Sequence, residues 1–95
     1  MADKIKASHI LIATADDAEA KIIGLKKELD DGADFAALAK EHSACPSGAE
    51  GGDLGQFGPN DMVPSFGAAA FALEEGEISD AVETDFGFHL IQRTG

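Results

Sequence analysis

Gly51-Gly52-Asp53-Leu54-Gly55-Gln56-Phe57-Gly58-Pro59-Asn60-Asp61-Met62-Val63-Pro64-Ser65-Phe66 is the stretch around which the rest of the chain is organised. It holds four of the 11 glycines and two of the three prolines, so turns rather than one repeating period shape its backbone. Asp53 to Phe57 alternates polar and apolar residues and reads as a short strand, with Leu54 and Gly55 on opposite faces. Gly58 to Asp61 reads as a turn. Pro64 suits the first turn of a helix running to Leu73. Met62, Val63 and Phe66 stand where a loop is ordinarily polar, and the four-residue spacing of Met62 and Phe66 presents both at the rim of a strand-turn-helix unit. A satellite hydrophobic cluster under a loop explains the same residues without any ligand.

Upstream, Ser43 to Gly52 is a small-residue loop carrying the only cysteine, Cys45. Before it, Ala18, Ile22, Leu25 and Leu29 form one stripe of an amphipathic helix, with Asp16 as its expected N-cap, Glu19 completing a capping-box variant and Gly32 as its stop. A shorter helix from Asp34 places Phe35, Leu38, Ala39 and His42 on one face. Lys4 to Ile12 reads as a strand with Ile5, Ala7, His9 and Leu11 on one side. Downstream, Ile78–Thr84 and Phe88–Arg93 read as two strands joined by a three-residue hairpin, Asp85-Phe86-Gly87. His89, Ile91 and Arg93 share one face of the last strand. The order β-α-α-β-α-β-β describes one α+β domain over residues 1–95, built on a small, mainly antiparallel sheet.

Composition narrows the function. Eighteen acidic residues against seven basic ones, a net charge of −11, repel phosphate backbones and anionic lipid, so nucleic-acid and membrane roles fall away. The acids are interleaved with Ile, Leu and Phe, which favours folding over disorder. The charged start MADKIKASHI lacks the apolar run of a signal peptide, and one cysteine allows no internal disulfide; both suit a cytoplasmic protein.

His9 and His89 each fall in mid-strand. If the first and last strands are neighbours, the rings meet and Thr84 can bond one of them. His42 ends a helix, where a cation complements the dipole, and reads as structural. A thiol hydrolase with Cys45 as nucleophile and a histidine as base would need a lowered thiol pKa and an oxyanion hole, and neither is visible. A zinc site lacks ligand pairs at the usual spacing.

Ser8-His9-Ile10-Leu11, His42-Ser43-Ala44-Cys45-Pro46-Ser47-Gly48, Gly51-Gly52-Asp53-Leu54-Gly55, Met62-Val63-Pro64-Ser65-Phe66 and Phe86-Gly87-Phe88-His89-Leu90-Ile91 together resemble the parvulin family of peptidyl-prolyl cis/trans isomerases, in order from Lys4 to Arg93. The resemblance is nearest to the small stand-alone prokaryotic members. It implies a four-stranded, mainly antiparallel sheet surrounded by helices. It places the catalytic groups on His9, Cys45, His89 and Thr84, and the proline pocket on Leu54, Met62 and Phe66, with Phe86 where members vary. It also implies an enzyme that assists protein folding as a monomer, with no metal and no cofactor, on proline-containing polypeptides. The chain departs from many members at Ala7, where cysteine is common, and at Ala44, where an acid is common. Some parvulins grip a phosphorylated residue with a basic cluster after the first strand. Here Ala13 to Glu19 carries three acids and no Lys or Arg, so phosphate specificity is not expected.

The chemistry is compatible with such a site. Rotation about an X–Pro bond has a barrier of about 20 kcal/mol and makes or breaks no bond, so no nucleophile is required. An apolar socket that holds the proline ring and removes water from the twisting amide suffices. A non-catalytic peptide-binding or chaperone module would use the same groove without turnover.

Overall fold

The computed structural model describes residues 4–44, 46–58 and 60–95; Cys45, and Pro59 of the expected turn, lie outside them. Strand β1 (Ile5–Ala13) leads into helix α1 (Ala18–Asp30) and helix α2 (Phe35–His42). A 3-10 turn (Pro46–Glu50), strand β2 (Asp53–Phe57), helix α3 (Pro64–Phe71) and strands β3 (Val82–Thr84) and β4 (Gly87–Arg93) follow. The element order is the expected one. All strand pairs are antiparallel, and the sheet order β2-β1-β4-β3 sets the first and last strands side by side at its centre.

Both faces of the sheet are covered, so alternation along β1 sorts its residues between two cores. Ile10 and Ile12 pack with Leu90 against Ala18, Ile22, Leu25 and Leu29 of α1 and Phe35, Leu38 and Ala39 of α2. Ile5 and Ala7 pack with Ile91 against Phe57, Phe66 and Ala70, on the α3 side. Burying such side chains on both faces contributes about 1.5–3 kcal/mol each. That is what holds a thin four-stranded sheet together.

Several local expectations are corrected. Helix α1 is capped at Asp17, not Asp16, without a side-chain cap bond among the described residues, and Ala18 N–H closes a turn onto Ala15 O at 3.1 Å. The Asp34 cap of α2 is present, its carboxylate accepting from Ala37 N–H at 3.0 Å. His42 ends α2 but is exposed rather than inward, since the helix turns its last residue to solvent. Helix α3 begins at Pro64 but stops at Phe71, two residues short of Leu73.

The expected strand from Ile78 to Thr84 is regular only from Val82. Ser79 N–H donates to Ile91 O at 2.7 Å, while Ile91 N–H donates at 3.0 Å to the Ser79 hydroxyl instead of a backbone carbonyl. The chain therefore leaves the ladder at Asp80 and rejoins it at Val82. The hairpin is also tighter than expected: Thr84 pairs with Gly87, leaving Asp85 and Phe86 as the turn. Gly87 has φ +140° and lies so close to β1 that a Cβ there would run into the carbonyl oxygen of Ile12.

Candidate active site

The β1–β4 register builds the site. His9 pairs with Ile91 and Leu11 with His89, so all four side chains share the face turned to α3 and the two histidines meet diagonally. His9 Nδ1 and His89 Nδ1 are 3.1 Å apart, with ring centroids 5.3 Å apart and planes 16° from parallel. A hydrogen bond between two such nitrogens needs one protonated and one bare, so the geometry fits two neutral imidazoles. Burial pushes His9 from 6.5 down to about 4, with the neighbouring His89 a second cause; burial also lowers His89. Thr84 Oγ1 lies 2.7 Å from His89 Nε2 and accepts Phe86 N–H at 3.2 Å, so the β3–β4 turn is tied to the histidine pair.

Phe66 seals the pair from below. Its ring stands nearly perpendicular to both imidazoles, 5.5 Å from His9 and 5.3 Å from His89. It is 3% exposed and packs on Phe57 at 6.1 Å, so it is a core residue and not the open-rim residue its spacing suggested. The first turn of α3 points inward here, which turns a residue of the strand-turn-helix unit into the floor of the site.

Over this floor opens an apolar cleft of about 400 Å³. Leu54 of β2, Met62 and Phe66 form one side, and Phe86 stands on the β3–β4 turn, with His9 and His89 also lining it. Seven of the eight sequence-derived site residues thus lie around one centre: six line the cleft and Thr84 reaches it through His89. Cys45 lies outside the described residues. Leu11, Ala44 and Val63 also line the cleft and were not among those candidates. Leu11 carried a signal, since it alternates onto the face of His9; Val63 stood in the apolar rim; Ala44 stood in one of the motifs, only as a departure from the family.

Two further contacts position the wall. Beyond Ser8 the outer edge of β1 has no strand partner among the described residues; Leu11 N–H donates instead to Ser43 Oγ at 3.1 Å, and Ala44 N–H donates to Leu11 O at 2.7 Å. His9 N–H donates to Gly52 O at 2.9 Å, and Gly52, with φ +83°, approaches so closely that a Cβ would collide with the His9 carbonyl. The loop between α2 and β2 is therefore fastened to β1 at both ends, beside the histidine.

The whole chain, residues 1–95, matches the family described as the PPIC-type PPIASE domain. It is 52% identical over 92 residues to the foldase protein PrsA of Geobacillus kaustophilus, covering 96% of this chain and 31% of that protein. It is 51% identical over 89 residues to the peptidyl-prolyl cis-trans isomerase Pin1 of Digitalis lanata, covering 93% of this chain and 75% of that one. Its fold superimposes on the solution structure of NmPin, the parvuline of Nitrosopumilus maritimus, with a TM-score of 0.81 at 38% identity, covering 100% of this chain and 99% of that one. The chain belongs to the PPIC-type peptidyl-prolyl cis/trans isomerase family, the parvulins. It spans about a third of the length of the foldase relative.

Proposed function

We propose that this chain accelerates cis/trans rotation about X–Pro bonds in polypeptides by a non-covalent route. The observation that carries the reading is the apolar cleft lying directly on a buried, neutral histidine pair. Leu54, Met62 and Phe66 hold the proline ring, while Phe86 and Val63 flank it. A planar amide carries a resonance dipole that water stabilises, and the twisted amide loses it. A dry cleft therefore favours the transition state over the ground state. Lowering the barrier by about 5 kcal/mol gives an acceleration of several thousandfold.

His9, His89 and Thr84 act in this reading as a rigid, uncharged polar base beneath the rotating bond, and no covalent adduct with Cys45 is required. The substrates are exposed X–Pro segments of non-native chains, without a phosphate requirement, and the chain works as a monomer in the cytoplasm. The test is cis/trans exchange on an X–Pro tetrapeptide. Acceleration by the wild-type chain that Met62→Ala largely abolishes, with the fold retained, supports the reading. Binding without acceleration would make this a non-catalytic peptide-binding module.

A further inference from the structure

The sheet carries a second crevice on the face turned away from His9 and His89. It has a volume of about 430 Å³ and lies between the end of α1, the start of α2 and strands β1 and β4. Leu29 and Phe35 give it apolar walls, and Ser8, Gln92, Thr94 and Asp34 line it with polar groups. Ser8 is 9% exposed, and its hydroxyl has no hydrogen-bond partner among the described residues. That hydroxyl opens on the crevice, and no buried side-chain polar atom among the described residues is left without a partner. Ser8 pairs with Gln92 across the sheet, and Thr94 N–H donates to Lys6 O at 2.8 Å, which sets the three neutral polar residues at neighbouring register positions.

The lining limits what fits there. Among the described residues no Lys or Arg lines the crevice, and the Asp34 carboxylate in its lining repels anions. One Asp34 oxygen already accepts Ala37 N–H, which leaves a poor ligand set for a cation. Two hydroxyls and a carboxamide can each give and take a hydrogen bond, as every peptide unit does, and the apolar walls suit the carbon between those units.

We propose that this crevice is a second polypeptide-binding site, which takes an uncharged, extended segment without proline. The molecule measures 36 × 28 × 21 Å, so roughly ten extended residues reach from the proline cleft round to it. One non-native chain then occupies both faces, and holding it at the crevice raises the local concentration of its prolines at the cleft. That last step rests on the isomerase reading; binding at the crevice does not.

The test titrates the isotope-labelled chain with a capped, proline-free octapeptide of Asn, Gln, Ser, Thr and Leu, and follows backbone amide shifts. Saturable shifts at Ser8, Ala33, Gln92 and Thr94, with none at Met62 or Phe86, are expected. Gln92→Leu or the more exposed Thr94→Val should weaken this binding at least about fivefold while leaving tetrapeptide exchange unchanged. No shift at these residues, shifts confined to the proline cleft, or binding indifferent to both substitutions would overturn the proposal. So would concentration-dependent shifts there without peptide, which would assign the crevice to a second copy. Loss of tetrapeptide exchange in the wild-type chain would instead count against the isomerase reading alone.

Discussion

At the scale of the residue, burial separates side chains that the sequence presents as equals. Met62 and Phe66 both wall the cleft, but Met62 is half-buried at its mouth whereas Phe66 is sealed beneath the histidines. Met62→Ala should therefore lower kcat/KM at least tenfold, about 1.4 kcal/mol, with little change in melting temperature. Phe66→Ala should lose activity together with about 3–5 kcal/mol of stability, measured by chemical denaturation. A stable, folded Phe66→Ala would show that the ring does not carry the core as its contacts imply. The histidines add a pH dependence. His9 titrates near 4 when folded and near 6.5 when free, so between these values the unfolded chain binds a proton that the folded chain excludes. Stability is thus held above pH 6.5 and lost as pH falls toward 4, by up to about 3 kcal/mol. Denaturation midpoints across that window should slope upward with pH, and His9→Asn should flatten most of the slope.

At the scale of the element, the site is made by where chain segments touch rather than by any one of them. β1 offers Leu11 and His9 to a loop instead of a strand, and the contact at Gly52 leaves no room for a side chain. Gly52→Ala combines a collision with the His9 carbonyl and a positive φ that alanine tolerates poorly. It should cost at least about 2 kcal/mol and reduce exchange activity as His9 shifts. Gly55, also at positive φ but with nothing near its Cβ position, is the control. Gly55→Ala should cost less and leave the histidine pair in place, seen in the imidazole proton spectrum. Equal effects at the two glycines would mean that backbone strain alone, and not the approach to β1, explains Gly52.

At the scale of the whole molecule, charge decides which chains approach the cleft. Arg93 is the only Lys or Arg after Lys40, while exposed carboxylates at Asp61 and Asp85 directly adjoin Met62 and Phe86 of the cleft. Pairing of Ala13 with Gly87 brings the acidic segment after β1, with Asp16 and Asp17, to the same end of the sheet as the β3–β4 turn. A phosphoserine before proline brings a charge of about −1.5 to −2 into this field. Matched tetrapeptides should therefore show higher kcat/KM with Lys or Ala before proline than with phosphoserine or glutamate. The gap should narrow with added salt, as screening shortens the reach of the carboxylates. A tenfold advantage for the phosphopeptide at low salt would refute this account.

Sequence alone determined the element order, the two faces of β1 and β4 and the buried stripe of α1, because these follow from local periodicity and turn chemistry. Alternation placed His9 with Leu11 and His89 with Ile91 before any strand pairing was known. Family motifs named six of the residues that line the cleft. Only the tertiary structure decided that β1 and β4 are neighbours in a register that joins the two imidazoles, and that Phe66 is a floor and not a rim. It also decided that the expected strand from Ile78 leaves the ladder at Asp80 before β3 begins, and that Ser8 faces a second crevice on the far side of the sheet. Register, burial and close approach depend on contacts between residues far apart in the chain, and a local pattern carries no record of which distant surface will cover it.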